Sequence, residues 1–340
     1  MSKLTETMAP RCFGRYLIDL PADMKLGTTY QTIVNKEVWV EVIPMTKLNH
    51  EGRLRYRETE LKSGHLDGRP DQPLLKEIVK VDGGGLVFNH ARDGGSNVLR
   101  TLELHAWRDG YAFKIWVNAR DMSYEEEKER NRPDARPTTT PEKQARLLQL
   151  FSRLRGRAET EVPTESGLCI AHGFIRGPAV EVEDVSMNFV LSSMPDVRLF
   201  VATDSGIGGD TSLLERGQAI KAMIEAAKGY TVRKGSRKAN GLTFEEWLIA
   251  GNTNERTVDG THVKGHFFTL EGNSKLGNAK APVFIVELFN GERESEPDDG
   301  IPAHEKIPRP NLTQASFSEA QTVALWDAMS NTMRPRPGGF

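Results

Sequence analysis

The sequence predicts an α+β fold with two domains of similar plan, each a mostly antiparallel sheet packed with helices. Three observations lead to this prediction. The chain has 340 residues, which exceeds the usual size of a single hydrophobic core. Short alternating strands separated by turn dipeptides such as Asp109-Gly110 fill both halves. A helix pattern closes each half, so the same order of strands and helices occurs twice.

In the first half, a series of strands precedes a well-marked helix. Strands are predicted over residues 30–43, 75–81, 86–89, 99–108 and 112–117. A helix is predicted over 50–63, where Leu54 and Leu61 form a sparse apolar stripe. In the next helix, we expect Thr140 to be the N-cap and Pro141 to take the first helical position.

The second half repeats this order. Strands are predicted over residues 185–191, 197–202, 242–250, 263–270 and 283–289. A helix is predicted over 211–228, because apolar residues recur at helical spacing there and Gly229 provides a stop. The pair Ser316 and Glu319 has the spacing of a capping box and predicts the start of the last helix.

A polar, proline-containing stretch at 157–166 follows the last helix of the first half. We therefore predict that the N-terminal domain covers residues 1–160 and the C-terminal domain covers residues 161–340. Two domains joined by one short junction are expected to enclose a cleft, and clefts are common binding sites.

Composition and charge exclude several classes of function. The 45 basic and 47 acidic residues give a formal net charge of −2, which offers no overall field for attracting nucleic acid. No run of 18 apolar residues occurs, so no membrane span is expected. Residues 1–8 lack the apolar core of a secretory signal. Either the protein is cytoplasmic, or the sequence is a mature form without its export signal.

The motifs that could carry catalysis are all incomplete. The Gly-rich stretch 204–210 lacks the Lys-Ser/Thr pair of a phosphate-binding loop. Ser205 lacks flanking glycines at the positions that a hydrolase elbow requires. His262 and His266 lie in an alternating strand, about 13 Å apart at strand rise, which is too far for one metal ion. We therefore predict no catalytic residues, no metal site and no cofactor, and hence no enzyme.

Cys12 and Cys169 are the two cysteines of the chain, and neither belongs to a CxxC pair. One interpretation is that they are two unrelated buried thiols. The other is a single disulfide, which would need an oxidising compartment to persist. The residues alone leave both interpretations open.

Two charged segments are candidates for binding a partner protein. The acidic segment lies in a loop of some twenty residues, a length usually associated with function or disorder, and its candidate residues are Glu292, Glu294, Glu296, Asp298 and Asp299. The counterpart in the first half has mixed charge and contains Arg130 and Arg132. The alternative is that both are ordinary solvated loops, and the sequence does not decide between these interpretations.

The segment 12–21, Cys-Phe-Gly-Arg-Tyr-Leu-Ile-Asp-Leu-Pro, resembles the N-terminal signature of one known protein family. These are the immunity proteins paired with type VI secretion lipase effectors of the fourth (Tle) class. The stretch 167–175 is similar to the opening of that family's second domain. The resemblance implies a periplasmic protein without catalysis, and it favours both the Cys12–Cys169 disulfide and a mature chain without its export signal.

The resemblance further implies a two-lobed clamp. Its partner would be a cognate type VI lipase effector, bound at about one to one, and the clamp would hold the effector's cap so that substrate cannot enter. The alternative function is a non-enzymatic module that binds a small ligand in the cleft between the lobes. Co-purification with a phospholipase encoded next to this chain would discriminate the first function from the second.

Overall fold

A computed structural model of the chain describes residues 2–124, 136–179, 181–295 and 309–340. The helices are α1 (Ser2–Glu6), α2 (Lys47–Ser63), α3 (Thr140–Arg153), α4 (Gly217–Ala226) and α5 (Glu319–Ser330). The strands of the first half are β1 (Met8–Phe13), β2 (Tyr16–Pro21), β3 (Met24–Val34), β4 (Val38–Pro44), β5 (His65–Leu66), β6 (Arg69–Pro73), β7 (Leu75–Val81), β8 (Gly85–Ala91), β9 (Leu99–Arg108), β10 (Tyr111–Arg120) and β11 (Leu154–Gly156). Those of the second half are β12 (Gly167–Ile170), β13 (Gly173–Arg176), β14 (Glu183–Leu191), β15 (Met194–Asp204), β16 (Tyr230–Ala239), β17 (Leu242–Arg256), β18 (His262–Gly272), β19 (Val283–Asn290) and β20 (Arg334–Pro335).

These elements form two compact units. Unit 1 contains residues 1–31, 159–171 and 177–340, and unit 2 contains residues 32–158 and 172–176. Helices pack on mostly antiparallel sheets in both, which confirms the α+β prediction. The units are not contiguous in sequence, because the first 31 residues pack into unit 1. The domain ranges 1–160 and 161–340 stay a prediction.

Unit 1 has an antiparallel sheet with the strand order β16-β17-β18-β19-β15-β14, and a helix on each face. Neighbouring residues of β17 show how the two helices are placed, since successive side chains of a strand point to opposite faces. Trp247 packs with Ile224 of α4. Glu246, on the opposite face, accepts a hydrogen bond of 3.0 Å from the indole of Trp326 on α5.

The first strands of unit 1 form a hairpin. β1 pairs with β2, and the chain turns at Gly14, where φ is +53°. A Cβ atom on Gly14 would lie 2.3 Å from the hydroxyl of Thr203, so this position accepts only glycine without rearrangement. The structure joins Cys12 of β1 to Cys169 of β12 in a disulfide, which closes a loop of 157 residues in sequence separation.

Unit 2 has an antiparallel sheet with the order β4-β10-β9-β8-β7. The Asp109-Gly110 hairpin joins β9 and β10 as predicted, with positive φ at both residues. Helix α3 packs on the face that contains Phe113, whose ring meets Phe151 edge-on with centroids 6.1 Å apart. Helix α2 lies on the opposite face, where Arg57 reaches Glu103 of β9.

Two predicted elements were wrong in their bounds because of turns. The run 30–43 is split into β3 and β4 by Asn35 and Lys36, which both adopt positive φ. The helix predicted over 211–228 begins only at Gly217. The amide of Leu214 donates to Glu245 of β17 at 2.8 Å, and this contact holds the preceding turn on the sheet.

Two predicted helix caps were wrong because tertiary contacts occupy the predicted residues. Thr140 is already helical, and its hydroxyl donates to the carbonyl of Arg120 at 3.0 Å. Ser316 donates through its amide and hydroxyl to Asp196, at 2.8 and 2.5 Å. The capping box of α5 is formed instead by Ser318 and Gln321. Among the helices of the described residues, none combines the length and the apolar character needed to cross a membrane.

Candidate protein-binding surface

The acidic segment predicted to bind a partner is described only at its beginning. Glu292 and Glu294 lie in the described stretch 291–295, directly after β19. Glu296, Asp298 and Asp299 lie outside the described residues, and so do Arg130 and Arg132 of the mixed-charge segment. The structure therefore tests the surroundings of the first two candidates.

The carboxylate of Glu292 is engaged within unit 1. It accepts hydrogen bonds from Arg198 of β15 at 3.1 Å and from the amide of Asn254 at 3.2 Å. Arg198 also donates to the backbone carbonyl of Glu292 at 3.2 Å. Glu292 thus fastens the end of β19 to its neighbour β15 and to β17, which lies beyond β18 in the sheet.

Glu294 is engaged in the same way. Its carboxylate accepts hydrogen bonds from the amides of Thr28 and Thr29 on β3, at 3.0 and 2.7 Å. The close approach depends on Gly27, since a Cβ atom there would lie 2.6 Å from a Glu294 oxygen. Between the two glutamates, Arg293 pairs with Glu255 at 2.7 Å, and its hydrogen bonds lower the pKa of that carboxyl. The base of the acidic segment is therefore held at three places.

Arg198 is the centre of this anchored region. Its guanidinium carbon lies 3.5 Å from the centroid of the Phe289 ring, and it faces the carboxylates of Glu292 and Glu287. Burial raises the pKa of Glu287 to about 7. The positive charge of Arg198 acts to lower this pKa, and the negative charge of Glu271 raises it further. Glu287 consequently changes charge near neutral pH.

A groove of about 420 Å³ opens beside Glu292, between α4 and strands β17 to β19. Its apolar lining comes from Met223, Ile224, Ala227, Ile249, Phe267 and Phe289. Glu292, Asn254 and His262 supply polar groups. Its volume and apolar lining are typical of sites that bind an apolar group. The sequence did not predict this groove, because its lining comes from one helix and three strands that only the fold brings together.

The histidines considered as metal ligands have other partners. His262 hydrogen-bonds through Nδ1 to the carbonyl of Thr253 at 2.8 Å. Nδ1 of His266 lies 2.9 Å from Nδ2 of Asn290, and burial lowers its pKa. Within the part of the chain that the structure describes, no group of three or more His, Cys, Asp or Glu could hold a metal ion.

Ser205, the serine considered as a nucleophile, is buried and holds backbone together. Its hydroxyl accepts a hydrogen bond from the amide of Glu183 at 2.8 Å and lies 3.3 Å from the carbonyl of Glu181.

The segment 12–21, which carries the family resemblance, has a structural role as well. Arg15 is buried and forms two hydrogen bonds with the carboxylate of Glu183, at 2.8 and 2.6 Å. Burial raises the pKa of Tyr16, the next residue.

In unit 2, the inner side of α2 contacts a buried carboxylate. Glu103 accepts hydrogen bonds from Arg57 at 2.9 and 3.2 Å, and its carboxylate lies 2.5 Å from His105 and 3.3 Å from His90. Burial acts to raise the pKa of Glu103, but these hydrogen bonds outweigh it and hold the pKa far below its usual range. A cavity of about 200 Å³ lies next to this cluster, with His50 in its wall. The arrangement attaches α2 to the sheet.

Comparison with known protein families gives a match to each half of the chain. The model of the Tle cognate immunity protein 4 N-terminal domain matches residues 9–157. The model of the Tle cognate immunity protein 4 C-terminal domain matches residues 161–338. No curated protein matches the chain at significant sequence similarity.

Solved structures share the fold over nearly the whole chain. The Tle4–Tli4 complex contains a chain with a TM-score of 0.70 and 20% identity, and the alignment covers 99% of both chains. The apo structure of TplEi, an immunity protein of the type VI secretion system of Pseudomonas aeruginosa, has a TM-score of 0.68 and 20% identity, with 97% of both chains covered. TplEi complexed with "L" peptide has a TM-score of 0.63 and 21% identity, covering 98% of this chain and 99% of that one.

Proposed function

Because this chain belongs to the Tle cognate immunity protein 4 family, we propose that it binds a cognate type VI phospholipase effector and neutralises it. Members of such families are immunity proteins and not enzymes. The observation that carries the proposal is the match of one family model to each half of the chain. The complex is proposed to contain about one copy of each protein.

The mechanism that we propose is occlusion. Domains 1–160 and 161–340 both hold the cap region of the effector, so that phospholipid cannot reach the effector's active site. The engagement of Ser205 with the backbone and the use of Glu103 to attach α2 support a protein that works by binding.

The charged segments are proposed to contact the effector beyond their anchored base. Glu292 and Glu294 hold the start of the acidic segment through Arg198 and β3. Glu296, Asp298 and Asp299 follow at once in sequence, and Arg130 and Arg132 belong to the counterpart segment. Charges at the rim of an interface mainly accelerate association, and salt screens them.

The periplasm is the compartment that we propose. The Cys12–Cys169 disulfide supports it, because structural disulfides persist in oxidising compartments and are rare in the cytosol. Protein purified from the periplasmic fraction, alkylated without reduction and weighed by mass spectrometry, is expected to carry no alkylated cysteine. Two alkylated cysteines, or recovery in the cytosolic fraction, would contradict this assignment.

Inhibition is tested with the purified phospholipase effector encoded beside this chain. Titration with the immunity protein is expected to abolish hydrolysis of fluorogenic phospholipid at about equimolar ratio. A phospholipase of another class serves as the control and should keep its activity. Full effector activity at a large excess of this chain, or phospholipid turnover by this chain alone, would refute the proposal.

A further inference from the structure

Helix α2 has an outward stripe that unit 2 does not use. Leu48 is 72% exposed and Tyr56 is 75% exposed, although both have large apolar side chains. Eight residues separate them, or about 12 Å along the helix axis, and Gly52 lies midway. His50 and Leu61, on the opposite side of the helix, are buried. The helix therefore attaches through one face and exposes an apolar stripe on the other.

Gly52 makes a notch in this stripe. A Cβ atom at this position would meet no heavy atom within 4 Å, so nothing in the fold requires a glycine there. Glycine in the middle of a helix is less stable than alanine, because the unfolded chain has more freedom to lose. A partner that packs against the helix backbone between Leu48 and Tyr56 would need this open space.

The charges of α2 suggest the chemistry of such a partner. Lys62 pairs with Glu58 at 2.6 Å, and Arg57 pairs with Glu103. Arg53 and Arg55 are both exposed, and no ion pair of either is found among the described residues. Arg55 flanks the stripe on the side of Leu48, and Arg53, which also lines the cavity next to Glu103, flanks it on the side of Tyr56. Guanidinium groups beside an apolar stripe are complementary to carboxylates beside an apolar side chain.

We propose that this stripe, Leu48, Gly52 and Tyr56 with Arg53 and Arg55 beside it, is a contact surface for the effector. The contacting segment of the effector presents an apolar side chain to the notch and acidic groups to the two arginines. The inference rests on the proposed function and names one surface through which it is carried out. A second copy of this chain fits poorly, since self-association of the stripes would bring like-charged arginines together.

The test measures affinity for the purified phospholipase effector encoded beside this chain, by calorimetric titration, together with the melting temperature of each variant. Gly52→Met fills the notch and is expected to weaken binding at least tenfold. Gly52→Ala is expected to melt no lower than the wild type and still bind several-fold more weakly, so its loss of affinity cannot come from unfolding.

Side-chain variants test the apolar and charged parts separately. Leu48→Ser and Tyr56→Ser should each weaken binding about tenfold, which is typical of a central apolar contact. The double variant Arg53→Glu with Arg55→Glu should slow association most at low salt. Val258→Ser removes an apolar side chain that is 85% exposed in unit 1, and as the matched control it should bind like the wild type.

The outcomes separate this inference from the proposed function. If the wild type does not bind the effector, the proposed function fails. If the wild type binds and the Gly52, Leu48 and Tyr56 variants bind equally well, only the contact surface is overturned. A second result would also overturn the contact surface: the wild type binds phosphatidylglycerol vesicles, and the variants lose that binding while their affinity for the effector is unchanged. The stripe would then be assigned to a membrane surface.

Discussion

The stretch 291–295 of unit 1 and helix α2 of unit 2 are both rich in charge, but their charges have opposite roles. Glu292 and Glu294 look like partner-binding residues in the sequence, yet their carboxylates bind Arg198 and the amides of β3. Helix α2 looks like an ordinary solvated helix, yet it exposes two large apolar side chains. The difference teaches that charge density does not identify a binding surface. A side chain that the fold already uses is less available to a partner than one that the fold leaves exposed.

The largest expected effect concerns the inner face of α2. Glu103→Ala should lower the free energy of unfolding by about 4 kcal/mol, because it leaves Arg57 and two histidines without their buried carboxylate. Urea denaturation measures it. Arg55→Ala on the outer face is the matched control and should change stability by less than about 0.5 kcal/mol. Equal losses for the two variants would mean that the two faces of α2 do not differ.

The next effect is the pH dependence introduced by Glu287, which lies beside Arg198. Its folded-state pKa is about 7, above an ordinary value of 4.5, so between these pH values the folded state binds more protons than the unfolded state. Its contribution is therefore complete below about pH 4.5 and is lost as pH rises to 7, by about 3 kcal/mol.

The variant Glu287→Gln removes this titration and should flatten the dependence of stability on pH in this window. Urea denaturation at pH 5, 6 and 7.5 compares it with the wild type. An unchanged slope would show that Glu287 is ionised throughout, as an ordinary surface carboxylate would be.

A smaller effect is expected at the anchored base of the acidic segment. Glu294→Ala removes the acceptor for the amides of Thr28 and Thr29 and should cost about 1 kcal/mol of stability. Glu294→Gln keeps a carbonyl acceptor and should lose less. Effector affinity of the folded Glu294→Ala variant should change less than threefold. A tenfold loss of affinity without a change in stability would show that Glu294 contacts the effector directly.

The smallest effect belongs to a surface ion pair of α2. Lys62→Ala breaks the pair with Glu58 and should cost no more than about 0.5 kcal/mol, because the pair is a surface contact between residues four apart on a helix and the Lys62 side chain is 60% exposed. Raising the salt concentration should reduce the difference from the wild type. A loss above 1 kcal/mol would indicate that the outer side of α2 contributes to the fold after all.

The sequence predicted those parts of the structure that depend on local geometry. The Asp109-Gly110 hairpin follows from the tolerance of both residues for positive φ, and it was confirmed. The turn at Asn35 and Lys36 uses the same geometry, but lysine gives no such signal. Ser316 has the spacing of a cap, but Asp196, 120 residues away, binds its hydroxyl and amide. No local pattern contains that competition.

The candidate surface was less predictable than the fold for the same reason. The sequence by itself determined the α+β class, the family through residues 12–21, and the charged segments as places of interest. Only the tertiary structure decided that Glu294 binds β3, 266 residues away in sequence, and that Gly52 has open space beside it. Hydrophobic periodicity and turn preferences act over a few residues, whereas burial and the pairing of charges depend on which distant segments the fold brings together.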